Sequence, residues 1–157
     1  MTTSAEFYLF YIAAYKAVRV AGKIRPQHIA ILQAATPLRE NGWQIVGVTH
    51  AALAHMAARN FKDAVGLHRA HIRPQADFLR ESLERSEPFT EKELDEFLDA
   101  HDRTILATKA ENAAPVLPEY ISLEGASGGI RSGSWSAVIL KPGRKYLSDL
   151  YDKAARK

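Results

Sequence analysis

The sequence predicts an α+β domain: a helical N-terminal half, a small central ββα-like site, and a short C-terminal β segment closed by a helix. Three observations predict it. Apolar residues recur at steps of three and four through the N-terminal half and again at the C-terminal end, the period of helices burying one stripe. Short runs rich in β-formers, Trp43 to Val48, Arg103 to Thr108 and Trp135 to Leu140, interrupt those helices. No linker or internal repeat divides the 157 residues, a length that suits one domain spanning 1–157.

The first helix runs from Glu6 to Val20, with Phe7, Phe10, Tyr11, Ala14 and Val18 on its stripe and Gly22 as its stop. Pro26 opens a second, from about Gln27 to Leu38, that buries Ile29 and Leu32; Asn41-Gly42 then marks a turn. After the Trp43–Val48 strand, Thr49 is an N-cap for the alanine-rich helix Ala51–Ala58. The segment from Thr49 to Ile72 reads two ways. Thr49 to Leu67 has the outline of a helix-turn-helix, whereas Ala64 to Ile72 can equally be a strand with Leu67, Arg69 and His71 on one side and His68, Ala70 and Ile72 on the other. Helix Ala76–Arg85 buries Phe78, Leu79 and Leu83. Thr90 and Glu93 form a capping box for the acidic helix Glu91–Ala100, with its stripe at Leu94, Phe97 and Leu98. Strand Arg103–Thr108, a helix start at Lys109–Ala114, a short strand Tyr120–Leu123, a glycine-rich loop Gly125–Gly133, strand Trp135–Leu140 and a basic helix Arg144–Ala155 complete the chain.

Composition removes several classes of function. With 46% hydrophobic and 25% charged residues the chain is not of the disordered type. It has no cysteine, so disulfides, thiolate metal sites and cysteine nucleophiles are excluded. The apolar stretch Phe7 to Tyr15 is too short for a bilayer, which needs roughly 20 residues, and no basic flank precedes it; a cytoplasmic protein without a membrane partner is expected. A P-loop and a His-Glu-x-x-His motif are both missing.

The net charge of +3 conceals a division along the chain. Residues 1–73 carry nine Lys/Arg against three Asp/Glu, residues 74–112 five against eleven, and residues 113–157 seven against four. Basic segments flank an acidic middle, a pattern that points to DNA as partner, because neutralising phosphates releases counterions. Arg103, Arg131, Lys141, Arg144 and Lys145 are the candidate nucleic-acid contacts, Arg131 through its glycine-rich loop, while Trp135 and Tyr151 read as core. Homodimerisation is left open.

Two polar stretches could carry chemistry, His68-Arg69-Ala70-His71-Ile72 and Asp102 to Asn112. Together they resemble the two halves of the HNH, or ββα-metal, nuclease motif, Arg69-Ala70-His71-Ile72 the first and Thr104 to Asn112 the second in its Asn-ended variant. The resemblance implies metal-dependent cleavage of DNA phosphodiester bonds, as in a restriction or phage-type endonuclease. His71 would be the general base, and Asn112 a ligand of magnesium or manganese completed by His68 or Glu111. Asp102 would stand near the position that orients the catalytic His, and Arg69 or Arg103 would clamp a phosphate. The chain departs from the family pattern at Ala70, often a metal-binding Asp or His there, at Asp102, which is not Asn, and in the helical segment Ala76–Ala100 between the two strands. A non-catalytic helix-turn-helix DNA-binding protein, or an interaction protein without catalysis, is the alternative reading.

Overall fold

The computed structural model describes residues 3–39, 43–123, 131–132 and 141–156. In chain order the elements are α1 (Thr3–Ala21), α2 (Pro26–Ala35), a 3₁₀ turn (Thr36–Leu38), β1 (Trp43–Val48), α3 (His50–Ala58), β2 (Leu67–His71), α4 (Gln75–Glu84), α5 (Glu91–His101), β3 (Arg103–Thr108), α6 (Lys109–Asn112), β4 (Ile121–Ser122), β5 (Arg131–Ser132) and α7 (Lys141–Ala154). This is the α+β class the sequence predicts. The chain divides into two compact units, residues 1–42 with 73–102, and residues 43–72 with 103–157. None of the described helices is long and apolar enough to cross a membrane.

The first unit is helical. On α1 the buried stripe is Phe7, Tyr11, Ala14, Tyr15 and Val18, which packs with Ile29 and Leu32 of α2, Phe78, Leu79 and Leu83 of α4, and Leu94 and Leu98 of α5. Phe10, expected inward, is 43% exposed, and Tyr15 takes the inward place. Tyrosine suits that position because its ring fills the core while its hydroxyl meets backbone that would otherwise be buried unpaired. Tyr15 donates to the carbonyls of Arg85 and Ser86, Tyr8 to that of Phe89, and Tyr11 to that of Ser82 while accepting from the Phe89 N–H. Three tyrosines of one helix thus hold the segment joining α4 to α5. The predicted helix Gln27–Leu38 breaks earlier, at Ala35, and finishes as a 3₁₀ turn. Pro37 lacks the N–H that a further α-helical turn would require.

The second unit is a mixed sheet in the order β2-β3-β1-β4, with β5 also pairing β1. β1 and β3 run parallel; β2 is antiparallel to β3, and β4 and β5 are antiparallel to β1. One face, carrying Ile45, Val48, Leu67 and Leu106, packs against Leu53 and Met56 of α3 and Leu147 of α7. On the other, Val46, Ala70, Ile105 and Ala107 cluster with Ile72. A bulge between Ile45 and Gly47 re-registers β1 on β3. Gly47 is where bare backbone is required, since a Cβ there would overlap the Tyr120 ring and lie 2.9 Å from Ile105 Cγ2.

Residues 61–71 do not form the second helix of a helix-turn-helix. α3 ends at Ala58, the chain turns through left-handed Asn60 and Phe61 and Gly66 (φ 86°), and Leu67 to His71 is a strand. Alternating residues on a strand can pair with β3 and bury Leu67 and Ala70, which outweighs the weak helical preference of the segment. In the glycine-rich region, predicted to be loop throughout, Arg131 and Ser132 pair with Gln44 and Trp43. The predicted strand Trp135–Leu140 lies outside the described residues, and α7 begins at Lys141, three residues before the expected Arg144.

Candidate active site

β2 and β3 pair antiparallel, with α4 and α5 between them in the chain, and α6 follows β3 directly. The register sets Leu67 opposite Thr108, His68 opposite Ala107, Arg69 opposite Leu106, Ala70 opposite Ile105 and His71 opposite Thr104. Alternation therefore puts Arg69 and His71 on one face with Thr104, at the margin of the surface covered by α3 and α7, and sends His68 to the opposite face. All three side chains, Arg69, His71 and His68, are half-buried. Arg103, also half-buried, opens β3, and its carbonyl accepts the Ile72 N–H at 3.0 Å, extending the strand pair by one link.

α6 starts at the far end of this strand pair. The Thr108 hydroxyl caps it, accepting from the Glu111 N–H at 3.3 Å. Glu111 Oε2 in turn accepts from the Thr108 N–H (2.8 Å), the Thr108 hydroxyl (3.0 Å) and the buried Thr49 hydroxyl (2.8 Å). Thr49 itself caps α3 by accepting from the Ala52 N–H. One carboxylate thereby ties together two helix starts at the C-terminal ends of adjacent parallel strands, where backbone N–H groups favour negative charge. Glu111 is thus committed to the fold through Oε2. Four strand residues, about 13 Å, separate the Thr108 pair from the His71 pair. α6, a four-residue helix spanning only about 6 Å, packs on β2 from the Thr108 end of the pair. Asn112, its last residue, is exposed.

Asp102 sits in the first unit, 1% exposed. Its Oδ2 is 3.3 Å from Nη1 of buried Arg39, whose Nη2 is 3.1 Å from Asp99 Oδ1. Sequence reasoning missed Arg39; a lone arginine just after a helix carries no local signal of a partner sixty residues away. Of the basic candidates, Arg144 and Lys145 are exposed on α7, and Arg144 donates to the Lys62 carbonyl at 3.3 Å. Arg131 lies in β5 and Lys141 opens α7, their side chains being outside what is described. Tyr151 meets Phe61 edge-on, as expected of a core residue, while Trp135 is outside the described residues.

Among the described residues no group of three or more His, Asp or Glu side chains is placed to hold a metal ion. The donors suggested by the resemblance fit a hard divalent ion in part. Asn112 and Glu111 are consecutive oxygen donors on α6, and Glu111 Oε1 lies outside the three hydrogen bonds above, but His68 faces away from His71.

The fold regroups the charges. The second unit, which holds β2, β3 and α6, carries twelve Lys/Arg against six Asp/Glu, and the first nine against twelve. No protein-family model, curated protein or solved structure matches this chain.

Proposed function

We propose that this protein is a DNA phosphodiesterase of the ββα type, with His71 as general base. The observation that supports the reading best is the antiparallel pairing of β2 with β3, which runs at once into a capped helix, in a unit of charge +6. An unprotonated His71 imidazole takes a proton from water, the water oxygen bonds to phosphorus, and the ester P–O bond breaks as the leaving oxygen departs. Arg69, two residues before His71 on the same face, offers a guanidinium to a non-bridging phosphate oxygen. A divalent ion held by the Asn112 amide oxygen and Glu111 Oε1 would stabilise the charge that builds on the phosphate. A homodimer and a cytoplasmic site of action belong to the same proposal.

The test is nicking of supercoiled plasmid with manganese or magnesium added. The wild-type protein should convert plasmid to open circles, and His71→Ala should lower that rate by roughly two to four orders of magnitude while DNA affinity holds. Cleavage that survives His71→Ala unchanged, or wild-type protein that binds DNA without ever cutting it, sinks the assignment.

A further inference from the structure

The first unit is acidic as a whole, and its acid excess is concentrated on α5, which holds Glu91, Glu93, Asp95, Glu96 and Asp99. One place reverses the sign. Between the C-terminal turn of α1 and α4 lies an open groove of about 430 Å³ rimmed by Arg19, Lys23 and Arg80, with Ile24 half-buried in it, Val18 and Leu83 almost wholly covered beneath, and Glu84 its one acidic side chain. Arg19 is held in position there: its guanidinium donates to the carbonyls of Leu83 and Arg85 and lies 4.6 Å from the centre of the Tyr15 ring. Gly22, in the left-handed region at φ 67°, ends α1 and turns Lys23 and Ile24 into the groove wall.

Cations at the end of a helix are commonly explained by its dipole. That accounts for Arg19 and Lys23 but not for Arg80, which projects from the middle of α4 toward the same opening. Three cations around one acidic side chain suit a ligand that carries several negative charges. A sugar–phosphate strand has that character, with its phosphates reaching the cationic rim. The volume lies in the range of ligand grooves, roughly 300–1,000 Å³. We infer that this groove binds the sugar–phosphate backbone of the DNA, as a contact separate from the ββα site. The inference rests on the proposed DNA function and adds a second point of grip to it.

The experiment is a fluorescence-anisotropy titration of a labelled DNA duplex over a series of salt concentrations. It compares wild-type protein, Lys23→Gln/Arg80→Gln and the control Lys92→Gln. Lys23, Arg80 and Lys92 are exposed, and circular dichroism confirms that each variant is folded. Two lost phosphate contacts should flatten the slope of log K against log salt by about 1.8 and weaken binding at low salt at least tenfold. Lys92→Gln should stay near wild type. If the wild type binds and the double variant keeps its slope and affinity, the groove is not a DNA contact, and the nuclease reading survives. An equal loss in Lys92→Gln would mean a general charge effect and would overturn the groove assignment as well. Wild-type protein that fails to bind DNA overturns both.

Discussion

Replacing Arg39 should destabilise the helical unit, and the structure sets the scale. The guanidinium faces two carboxylates, 3.3 Å from Asp102 and 3.1 Å from Asp99; Asp102 is 1% exposed and Asp99 30%. Charges about 4 Å apart attract by roughly 4 kcal/mol at an effective dielectric constant of about 20. The more exposed Asp99 contributes little, on the order of 0–1 kcal/mol. Arg39→Met removes the cation that faces the buried Asp102 carboxylate, a loss of about 3–5 kcal/mol. Arg39→Met/Asp102→Leu removes the stranded charge too, and should recover most of that loss, because a buried pair and a well-packed apolar replacement are often close in stability. Urea unfolding followed by circular dichroism of the helices reads the loss, because the unit that holds Arg39 is helical. A loss below about 1 kcal/mol in Arg39→Met, or a double variant no better than the single, would falsify the claim that Asp102 is a structural anion.

Three further perturbations probe other joints of the fold. Burial pushes the Tyr11 phenol above its ordinary value of 10.0, against a smaller opposing effect of the Phe89 N–H; the neutral form is favoured by folding, so this contribution is complete below about pH 10 and is lost as pH rises through the folded value. Urea midpoints should therefore fall above about pH 10, and Tyr11→Phe should remove part of that fall while costing about 1–3 kcal/mol at neutral pH through the unpaired Ser82 carbonyl and Phe89 N–H. Gly47→Ala should cost about 1–3 kcal/mol by overlap with Tyr120 and Ile105, and adding Tyr120→Ala should relieve the Tyr120 share; a single variant as stable as wild type would show that the close approach is illusory. Glu111→Ala should cost about 1–3 kcal/mol by stripping the acceptor from Thr49 and Thr108, measured by urea, whereas a residue that served only a metal would change cleavage and not stability.

The elements that could be read from the sequence are those whose signal is local. Thr90 with Glu93 and Thr49 before an alanine run announce their helix starts because capping joins residues three apart, and both caps form in the structure. Phe10 and Tyr15 exchange places relative to expectation because both fit the α1 stripe, and the choice depends on whether a hydroxyl can reach Arg85 and Ser86, seventy residues on. The strand-or-helix ambiguity at 61–71 has the same origin. Five residues show too little periodicity to decide, and pairing with Arg103–Thr108 settles the matter from outside the segment.

The candidate site divides along the same line. Strand alternation already places Arg69 with His71 and His68 against them, since a period of two is written in the sequence itself. The positions of Asp102 and Glu111 depend on partners that spacing does not supply. Asp102 answers to Arg39, a distant residue of its own helical unit, and Glu111 to Thr49, whose hydroxyl reaches it because β1 and β3 run parallel and end together. A carboxylate near a catalytic motif is therefore weak evidence of chemistry until its hydrogen bonds are known, because a buried cation or an orphan helix N-terminus claims the same charge. Both residues illustrate this, and they leave His71 and Arg69 as the side chains on which the proposed chemistry chiefly depends.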